Sequence, residues 1–327
     1  MKFTTEVAIP PPLCTITHSD VGLAIGSCFT TYIGERLQQL KFPILVNPLG
    51  TIYNPFSIAQ SIDILLGNKQ IQDEDLFLEQ GVWQSLYLHT KYSSRNKEDI
   101  KQNIAHLQTE FSIILPQLQY IIISLGTAWV YKHKQLGCIV NNCHKLPAHN
   151  FERYRLEPKE IVTILANTIE LLRSKTNTEL HIIFTVSPIR HTKDGAFGNN
   201  VSKAALLLAI DELLELPNTY YFPAYEIVLD ELRDYRFYAQ DMIHPSDTAV
   251  AYIFEKFQST MCNEQTRTMC KTIESINKAI QHKPFNNTNP EYTKFISNTI
   301  EECKLIMQTH TKIDLNYEIE LLQNRLL

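Results

Sequence analysis

The sequence lacks several features that mark whole classes of protein. No run of about 18 apolar residues occurs, and the longest apolar stretch, residues 120–131, is too short to span a bilayer. The N-terminal residues include no apolar segment of the kind found in signal peptides, so we expect no secretory signal. Basic residues are outnumbered by acidic ones, and the net charge of −5 argues against nucleic acid as the main partner. We therefore expect neither a membrane nor a nucleic-acid partner.

Cysteine is present, but without the pattern of a disulfide framework. The seven cysteines, an odd number, are spread over 327 residues, whereas disulfide frameworks occur mainly in short secreted chains with even counts. We predict reduced thiols and a cytoplasmic location. Cys138, Cys143, His144 and His149 lie close together in the sequence, but their spacing is not a standard zinc-ligand pattern. We therefore predict no metal and no cofactor.

The pattern of apolar residues predicts an α/β fold. The chain is long enough to bury a large core, as one domain or as a domain with an extension. Apolar runs such as residues 120–125 and 180–186 predict buried strands, and amphipathic helices separate them. Alternation of this kind indicates a mostly parallel sheet with helices on both faces. After Trp129 we predict an irregular insert rather than further strands.

The strand pattern ends before the C-terminus. Beyond about residue 260, apolar residues recur only at helical spacing. We predict one α/β domain over residues 1–260 and a helical C-terminal extension over residues 261–327, with a loop from Pro284 to Pro290.

The first predicted strand runs directly into a helix at Gly26, Ser27 and Cys28. Two nucleophile-type side chains therefore lie at a helix N-terminus, where unpaired N–H groups and a positive partial charge can activate a thiol or hold an oxyanion. The alternative is a tight turn with a small buried cysteine, and this stretch alone favours that alternative.

Asp241 and His244, near the end of the predicted domain, favour a catalytic role for the turn. A nucleophile needs a base within reach, and the base needs an orienting carboxylate. The carboxyl ends of parallel strands meet at one edge of a sheet, so distance along the chain is no obstacle. The alternative for this pair is a capped helix start with a surface histidine. Arg190 and His191 follow a strand at the same edge, where they would bind a substrate carboxylate or phosphate or form a structural ion pair.

Ordered blocks along the chain resemble the GSCFA family. The first is Gly26-Ser27-Cys28-Phe29, and the later ones are residues 47–50, 53–55, 125–129, 142–145, 185–191, 221–226, 232–238 and 241–246. The resemblance covers roughly residues 1–260. The GSCFA family is similar to the SGNH/GDSL hydrolases, which implies a three-layer α/β/α domain with a mostly parallel, flavodoxin-like sheet.

The resemblance also implies roles for individual residues. SGNH hydrolases carry Gly-Asp-Ser at the end of the first strand, with serine as the nucleophile. Overlaying that pattern on Gly26, Ser27 and Cys28 puts Cys28 in the nucleophile's place, with Ser27 as the alternative. Asp241 and His244 match the family's aspartate and histidine three residues apart.

The expected oxyanion donors match the family only in part. The resemblance implies that Gly50, after the second strand, donates its N–H to the oxyanion. Gly126 matches the glycine of the third block, but the asparagine that should come two residues later is Ala128. Asn54 and Asn142 are the candidates to replace that asparagine, on the basis of their loop positions alone.

Together, the residues and the resemblance lead us to expect an SGNH-like ester hydrolase or acyltransferase with a Cys (or Ser)–His–Asp triad. Its expected partner is a small-molecule or carbohydrate ester, with O-acylated carbohydrates among the candidates. The alternative is a non-catalytic binding or assembly protein that retains the fold. Ala128 favours this alternative, and the Asp241–His244 pair opposes it.

Overall fold

The computed structural model describes residues 4–12, 14–177, 179–282 and 290–326. Its helices and strands follow one another along the chain as β1 (Val21–Gly26), α1 (Cys28–Gln39), β2 (Ile44–Val46), α2 (Pro55–Leu65), β3 (Leu76–Glu79), β4 (Val82–Ser85), α3 (Lys97–Ile114), β5 (Leu118–Leu125), β6 (Trp129–His133), β7 (Ile139–Val140), β8 (Phe151–Arg155), α4 (Pro158–Arg173), β9 (His181–Val186), α5 (Gly195–Leu213), β10 (Thr219–Tyr221), α6 (Ala224–Glu226), a π-helical turn (Ile227–Glu231), α7 (Asp247–Met261), α8 (Glu264–Gln281), α9 (Pro290–Thr309) and α10 (Asn316–Gln323).

The central sheet has the order β2-β1-β5-β9-β10, and all of its neighbouring strands are parallel. Numbered along the chain, these five strands have the 2-1-3-4-5 order of the flavodoxin-like doubly wound fold. The strand order reverses between β1 and β5, because β2 is added on one side of β1 and β5, β9 and β10 are added on the other. In such sheets ligands bind at the carboxyl ends of the strands at this switch point, which here means beside Gly26 and Leu125.

Helices cover both faces of the sheet, so the predicted three-layer α/β/α architecture is confirmed. Helices α2 to α5 pack on one face against side chains such as Leu23, Ile121 and Phe184. Helices α1, α6 and α7 pack on the other face, where Ala24 and Ile122 of the sheet point. Alternate residues of β1 and β5 therefore belong to opposite cores, as the two-residue period of a strand requires.

The predicted C-terminal helices are confirmed as α8, α9 and α10, and no strand occurs in the part of this segment that the structure describes. Their apolar side chains join the core on the α1 and α7 side: Ile273, Ile296 and Leu322 lie in one cluster with Ile33 and Phe257. The predicted loop from Pro284 to Pro290 falls almost wholly on residues 283–289, which lie outside the described residues. The domain boundary near residue 260 stays a prediction.

The segment after Trp129 is not an irregular insert, and that prediction was wrong. It forms an antiparallel sheet of order β7-β6-β8, with Val130 paired to Tyr154 and Tyr131 paired to Arg153. The paired strands β6 and β8 are separated by β7 and by a loop, so no local turn signal reveals their pairing. Strands β3 and β4 pair as an antiparallel hairpin around Gly81. Across the described ranges, no helix has the length and apolar character needed to cross a bilayer.

Candidate active site

The turn between β1 and α1 can be formed only by glycine at its first position. Gly26 has a φ of 139°, and a Cβ there would lie 2.2 Å from the carbonyl oxygen of Ser124. The Gly26 N–H donates to Oδ1 of Asn47 at 2.8 Å, and Nδ2 of Asn47 donates to Oγ1 of Thr31 at 2.9 Å. Asn47 thus holds both sides of the turn, a role that the sequence did not reveal.

Ser27 faces the sheet. Its side chain is buried and forms a hydrogen bond with Oγ of Ser124 at 2.8 Å. It also accepts the N–H of Phe29 at 3.3 Å as the N-cap of α1. The Ser27 hydroxyl therefore holds the strand and the helix together.

Cys28 is the first residue of α1 and is half-buried. Its Sγ lies 3.3 Å from the hydroxyl of Tyr53. The Tyr53 carbonyl accepts the N–H groups of Gly126 and Thr127, at 2.8 and 2.9 Å, so Tyr53 is fixed at the end of β5. Burial, together with the hydrogen bond to Cys28, raises the pKa of Tyr53 above its usual range. The phenol is therefore neutral at neutral pH and can donate its proton in a hydrogen bond.

Asp241 and His244 form a compact turn before α7. One carboxylate oxygen of Asp241 accepts the N–H groups of Ile243 and His244, at 2.9 and 3.0 Å, and the other lies 2.5 Å from Nδ1 of His244. The backbone donors, with the imidazole, lower the pKa of Asp241 to about 2. An ionised Asp241 holds the proton on Nδ1, and Nε2 of His244 is left to accept a proton.

These elements enclose one cavity of about 360 Å³, here called the central cavity. Its wall includes Ser27 and five further candidate residues from the sequence: Cys28, Gly126, Arg190, His191 and His244. Tyr53, for which the sequence suggested no role, also lines the cavity. Cys28, Gly126, Arg190 and His191 follow the carboxyl ends of β1, β5 and β9, Tyr53 lies just before α2, and His244 lies in the turn before α7. The cavity thus lies at the edge of the sheet where the strand order predicts a ligand.

His191 contributes a neutral ring to this wall. Its backbone N–H donates to Oδ1 of Asn199 at 2.9 Å. Its ring is edge-on to that of Tyr53, and the two ring centroids are 6.1 Å apart. Burial lowers the pKa of His191.

The structure does not bring Gly50, Asn54 or Asn142 to the central cavity, and their predicted oxyanion roles gain no support. The Gly50 N–H already donates to the carbonyl of Asn47 at 2.8 Å within a tight turn. The side-chain oxygen of Asn54 caps the first turn of α2. Nδ2 of Asn142 donates to Oγ1 of Thr90 at 3.1 Å. These groups therefore hold a turn, a helix cap and a contact between two loops, respectively.

A buried lysine lies behind the cavity. Nζ of Lys203 donates to the carbonyls of Gly126 and Ser187, at 2.7 and 2.6 Å, which tie together the ends of β5 and β9. No carboxylate in the described part of the chain pairs with Lys203. Burial lowers the pKa of Lys203 to about 7. Its helical spacing with Leu206 and Ile210 is the sequence signal for the buried face of α5.

Two of the four residues considered as zinc ligands, Cys138 and His144, have other partners. Sγ of Cys138 accepts the hydroxyl of Tyr87 at 3.1 Å, and Nε2 of His144 lies 2.7 Å from the carbonyl of Ser85. In the described ranges, no three His, Cys, Asp or Glu side chains form a group that could hold a metal ion.

Two family models match this sequence. The model described as GSCFA family matches residues 22–257. The chain belongs to the GSCFA family. A second model, the C-terminal domain of GSCFA domain proteins, matches residues 273–327. No curated protein matches the chain. The residues that line the central cavity run from Ser27 to His244, so this cavity lies within the part of the chain that matches the GSCFA family.

Proposed function

We propose that this GSCFA protein is an ester hydrolase or acyltransferase that uses Cys28, His244 and Asp241 as a triad. One observation carries the proposal: an Asp-oriented histidine and a thiol at a helix N-terminus face the same cavity. Nucleophilic catalysis needs these three kinds of group in this relation.

In the first half-reaction, Sγ of Cys28 attacks the acyl carbon. Nε2 of His244 takes the thiol proton, and Asp241 stabilises the imidazolium that forms. The S–C bond forms, the bond from the acyl carbon to the alcohol oxygen breaks, and His244 passes its proton to the departing alcohol. The products are a thioester on Cys28 and a free alcohol.

In the second half-reaction, water or an acceptor alcohol attacks the thioester. His244 takes the proton of the attacking group and returns it to Sγ as the S–C bond breaks. Water yields a carboxylic acid, which makes the protein a hydrolase, and an alcohol yields a new ester, which makes it an acyltransferase. No cofactor takes part in either route.

Tyr53 is the side chain that we assign to the oxyanion. Its neutral hydroxyl lies 3.3 Å from Sγ, on the wall of the same cavity. A hydroxyl so close to the nucleophile can donate a hydrogen bond first to the thiolate and then to the carbonyl oxygen on which negative charge develops. The positive end of α1 acts in the same direction.

The nucleophile is Cys28 rather than Ser27, because the two side chains have different partners. The Ser27 hydroxyl caps α1 and bonds to Ser124, whereas the hydrogen-bond partner of the Cys28 Sγ within the described ranges is the Tyr53 hydroxyl alone.

The test is to trap the acyl-enzyme with p-nitrophenyl acetate. We expect a burst of nitrophenolate and an acetyl group on the peptide that contains Cys28. His244→Ala should slow acylation by about a hundredfold or more, and Cys28→Ala should abolish it. Cys143→Ala, which removes another half-buried thiol, is the control and should acylate normally. Acetylation that survives Cys28→Ala but not Ser27→Ala would transfer the role to Ser27.

A second candidate is a non-catalytic protein that binds an ester or assembles with others. Ala128 favours it, because its buried methyl group offers no donor to the cavity, and its N–H is taken by Oγ of Ser202 at 2.8 Å. In that case, folded wild-type protein would bind esters and show neither burst nor acyl-cysteine.

We also propose a cytoplasmic location and a small-molecule or carbohydrate ester as substrate. The seven free thiols support a reducing compartment.

A further inference from the structure

The central cavity is positively charged within an acidic protein. Arg190 and Lys193 line it, and none of its lining residues is Asp or Glu, although the whole chain has a net charge of −5. Asp241, whose carboxylate contacts Nδ1 of His244, is not among the lining residues. A cavity with this local charge favours an anionic ligand over a neutral one.

Arg190 differs from the arginines around it in its hydrogen bonds and ion pairs. Arg153 pairs with Asp194, Arg233 with Asp230 at 2.7 Å, and Arg236 with Asp234 at 3.7 Å. Within the described ranges, no ion pair or hydrogen bond engages the guanidinium of Arg190. A guanidinium with free donors on a cavity wall is suited to bind a carboxylate or phosphate in bidentate fashion.

A second hollow of about 460 Å³, here called the tyrosine cleft, begins where the central cavity ends. Arg190 lines both, and the cleft continues along Tyr235, Tyr238 and Met242. Tyr235 is 76% exposed, and its ring centroid lies 6.0 Å from that of Tyr238. Exposed aromatic rings beside a cavity are typical of ligand-binding grooves, where their faces pack against sugar or other rings.

We propose that the substrate is an anionic ester, in which Arg190 binds a carboxylate or phosphate on the alcohol portion and that portion's ring lies in the tyrosine cleft. This inference rests on the proposed function, since it names the substrate class of the same site. The acyl group then lies beside Cys28 and His244, and the larger alcohol group leaves through the cleft. An O-acylated acidic sugar has this chemistry.

The first experiment compares matched acetate esters as substrates of the full-length protein. The probes are para-acetoxybenzoate, para-acetoxyphenyl phosphate and the uncharged methyl para-acetoxybenzoate. We expect a kcat/KM about ten- to hundredfold higher for at least one anionic ester than for the neutral one, as charge-assisted hydrogen bonds allow. The two anionic probes distinguish a carboxylate from a phosphate. Equal values for all three esters would overturn the proposal.

The second experiment assigns the preference to Arg190. Arg190→Gln should bring the ratio of anionic to neutral kcat/KM close to one, and Arg190→Lys should restore part of it. Arg236→Gln is the matched control, because it removes the same charge from a nearby exposed side chain paired with Asp234, and it should keep the wild-type ratio. A ratio unchanged by Arg190→Gln would contradict the assignment.

The cleft has a separate test. Tyr235→Ala should raise KM several-fold for the anionic and the neutral ester alike, because it removes the ring contact and leaves the charge. Tyr317→Ala, at an exposed position on α10, is the control. An unchanged KM in Tyr235→Ala would show that the alcohol portion does not reach the cleft.

Binding without turnover separates this inference from the proposed function. Calorimetric titration with para-hydroxybenzoate, para-hydroxyphenyl phosphate and methyl para-hydroxybenzoate needs no reaction at Cys28. Tighter binding of an anionic phenol, lost in Arg190→Gln, would support the anion site even if no ester were cleaved. Cleavage of all esters without any charge preference in binding would refute the anion site and leave the proposed function standing.

Discussion

Ser27 and Cys28 are neighbours in the chain, yet their side chains have different tasks. Ser27 is 1% exposed, and its hydroxyl joins α1 to Ser124 at the end of β5. Cys28, one position further, points its Sγ toward Tyr53 and the central cavity. At a helix start, successive side chains point about 100° apart. One of two adjacent residues is therefore structural, and the other is available for chemistry.

The charge of Lys203 is costly to bury. It is 1% exposed, and its partners are two neutral carbonyls rather than a carboxylate. Arg190 lies near enough to oppose its charge further, so burial and this repulsion together lower the pKa of Lys203 to about 7. A neutral amine still has two N–H bonds, so deprotonation leaves both contacts with Gly126 and Ser187 in place.

The stability of the protein should therefore depend on pH through Lys203. Between about pH 7 and the ordinary lysine pKa of 10.5, the unfolded chain holds a proton that the folded protein has lost. The free energy of unfolding should then rise with pH by about 1.4 kcal/mol per unit from this residue. The free energy of unfolding of Lys203→Met should not show this rise with pH. Urea unfolding of wild type and Lys203→Met near pH 7 and pH 9 would measure the difference.

The matched control for this prediction is the exposed Lys159→Met, which should keep the wild-type dependence on pH. Groups other than Lys203 titrate alike in all three proteins, so the differences between them isolate the lysine. If wild type and Lys203→Met changed in parallel between the two pH values, Lys203 would not be the residue responsible.

At the scale of elements, the turn between β1 and α1 depends on a residue from another strand. Asn47, just after β2, accepts the N–H of Gly26 and donates to Thr31. Asn47 is itself buried. The position of Cys28 is therefore set by the pairing of β1 with β2 as well as by its own sequence.

Asn47→Ala should destabilise the protein and weaken any reaction at Cys28. It leaves the Gly26 N–H without an acceptor in a buried place, which costs about 1–3 kcal/mol. Urea unfolding and the acylation rate with p-nitrophenyl acetate would measure the two effects. Asn68→Ala is the control, because Asn68 bonds to Asp63 at an exposed position, and it should change stability by less than about 0.5 kcal/mol. Equal effects of the two substitutions would refute the role of Asn47.

The elements that could be predicted from sequence are those with strong local periodicity. The strand at Val21–Gly26 and the helix after it follow from one apolar run and one helical stripe. The edge of a parallel sheet then places Cys28, Gly126 and His244 together, before any contact is known. The antiparallel sheet after Trp129 could not be predicted, because its strands are short and pair across a loop.

The contacts of Gly50 and Tyr53, the residues considered as oxyanion donors, could not be predicted for a related reason. Whether a loop amide is free depends on its neighbours in space, and the Gly50 N–H is taken by Asn47 within a turn. Tyr53 reaches Cys28 only because its backbone is fixed to the end of β5. Neither contact leaves a pattern in the sequence.

At the scale of the whole molecule, the C-terminal helices complete a core rather than form one of their own. Ile273, Ile296 and Leu322 share a cluster with side chains of α1 and α7. Polar contacts cross the same boundary: Lys41, after α1, pairs with the buried Glu318 of α10 at 2.6 Å. Without this layer, the apolar faces of α1 and α7 would meet water. We therefore expect the α/β layers and the C-terminal helices to unfold together.

Ile296→Ala tests this coupling. The two tryptophans, Trp83 and Trp129, lie in β4 and β6, so their fluorescence reports only on the α/β part. Ile296 is fully buried in α9, so its truncation should cost about 2–5 kcal/mol. If the layers are coupled, tryptophan fluorescence and far-ultraviolet circular dichroism should show one shared transition in urea, at a lower midpoint than wild type. Leu305→Ala, on the exposed face of the same helix, should leave that midpoint nearly unchanged. A fluorescence transition that stays in place while circular dichroism reveals an earlier one would mean that the C-terminal helices unfold by themselves.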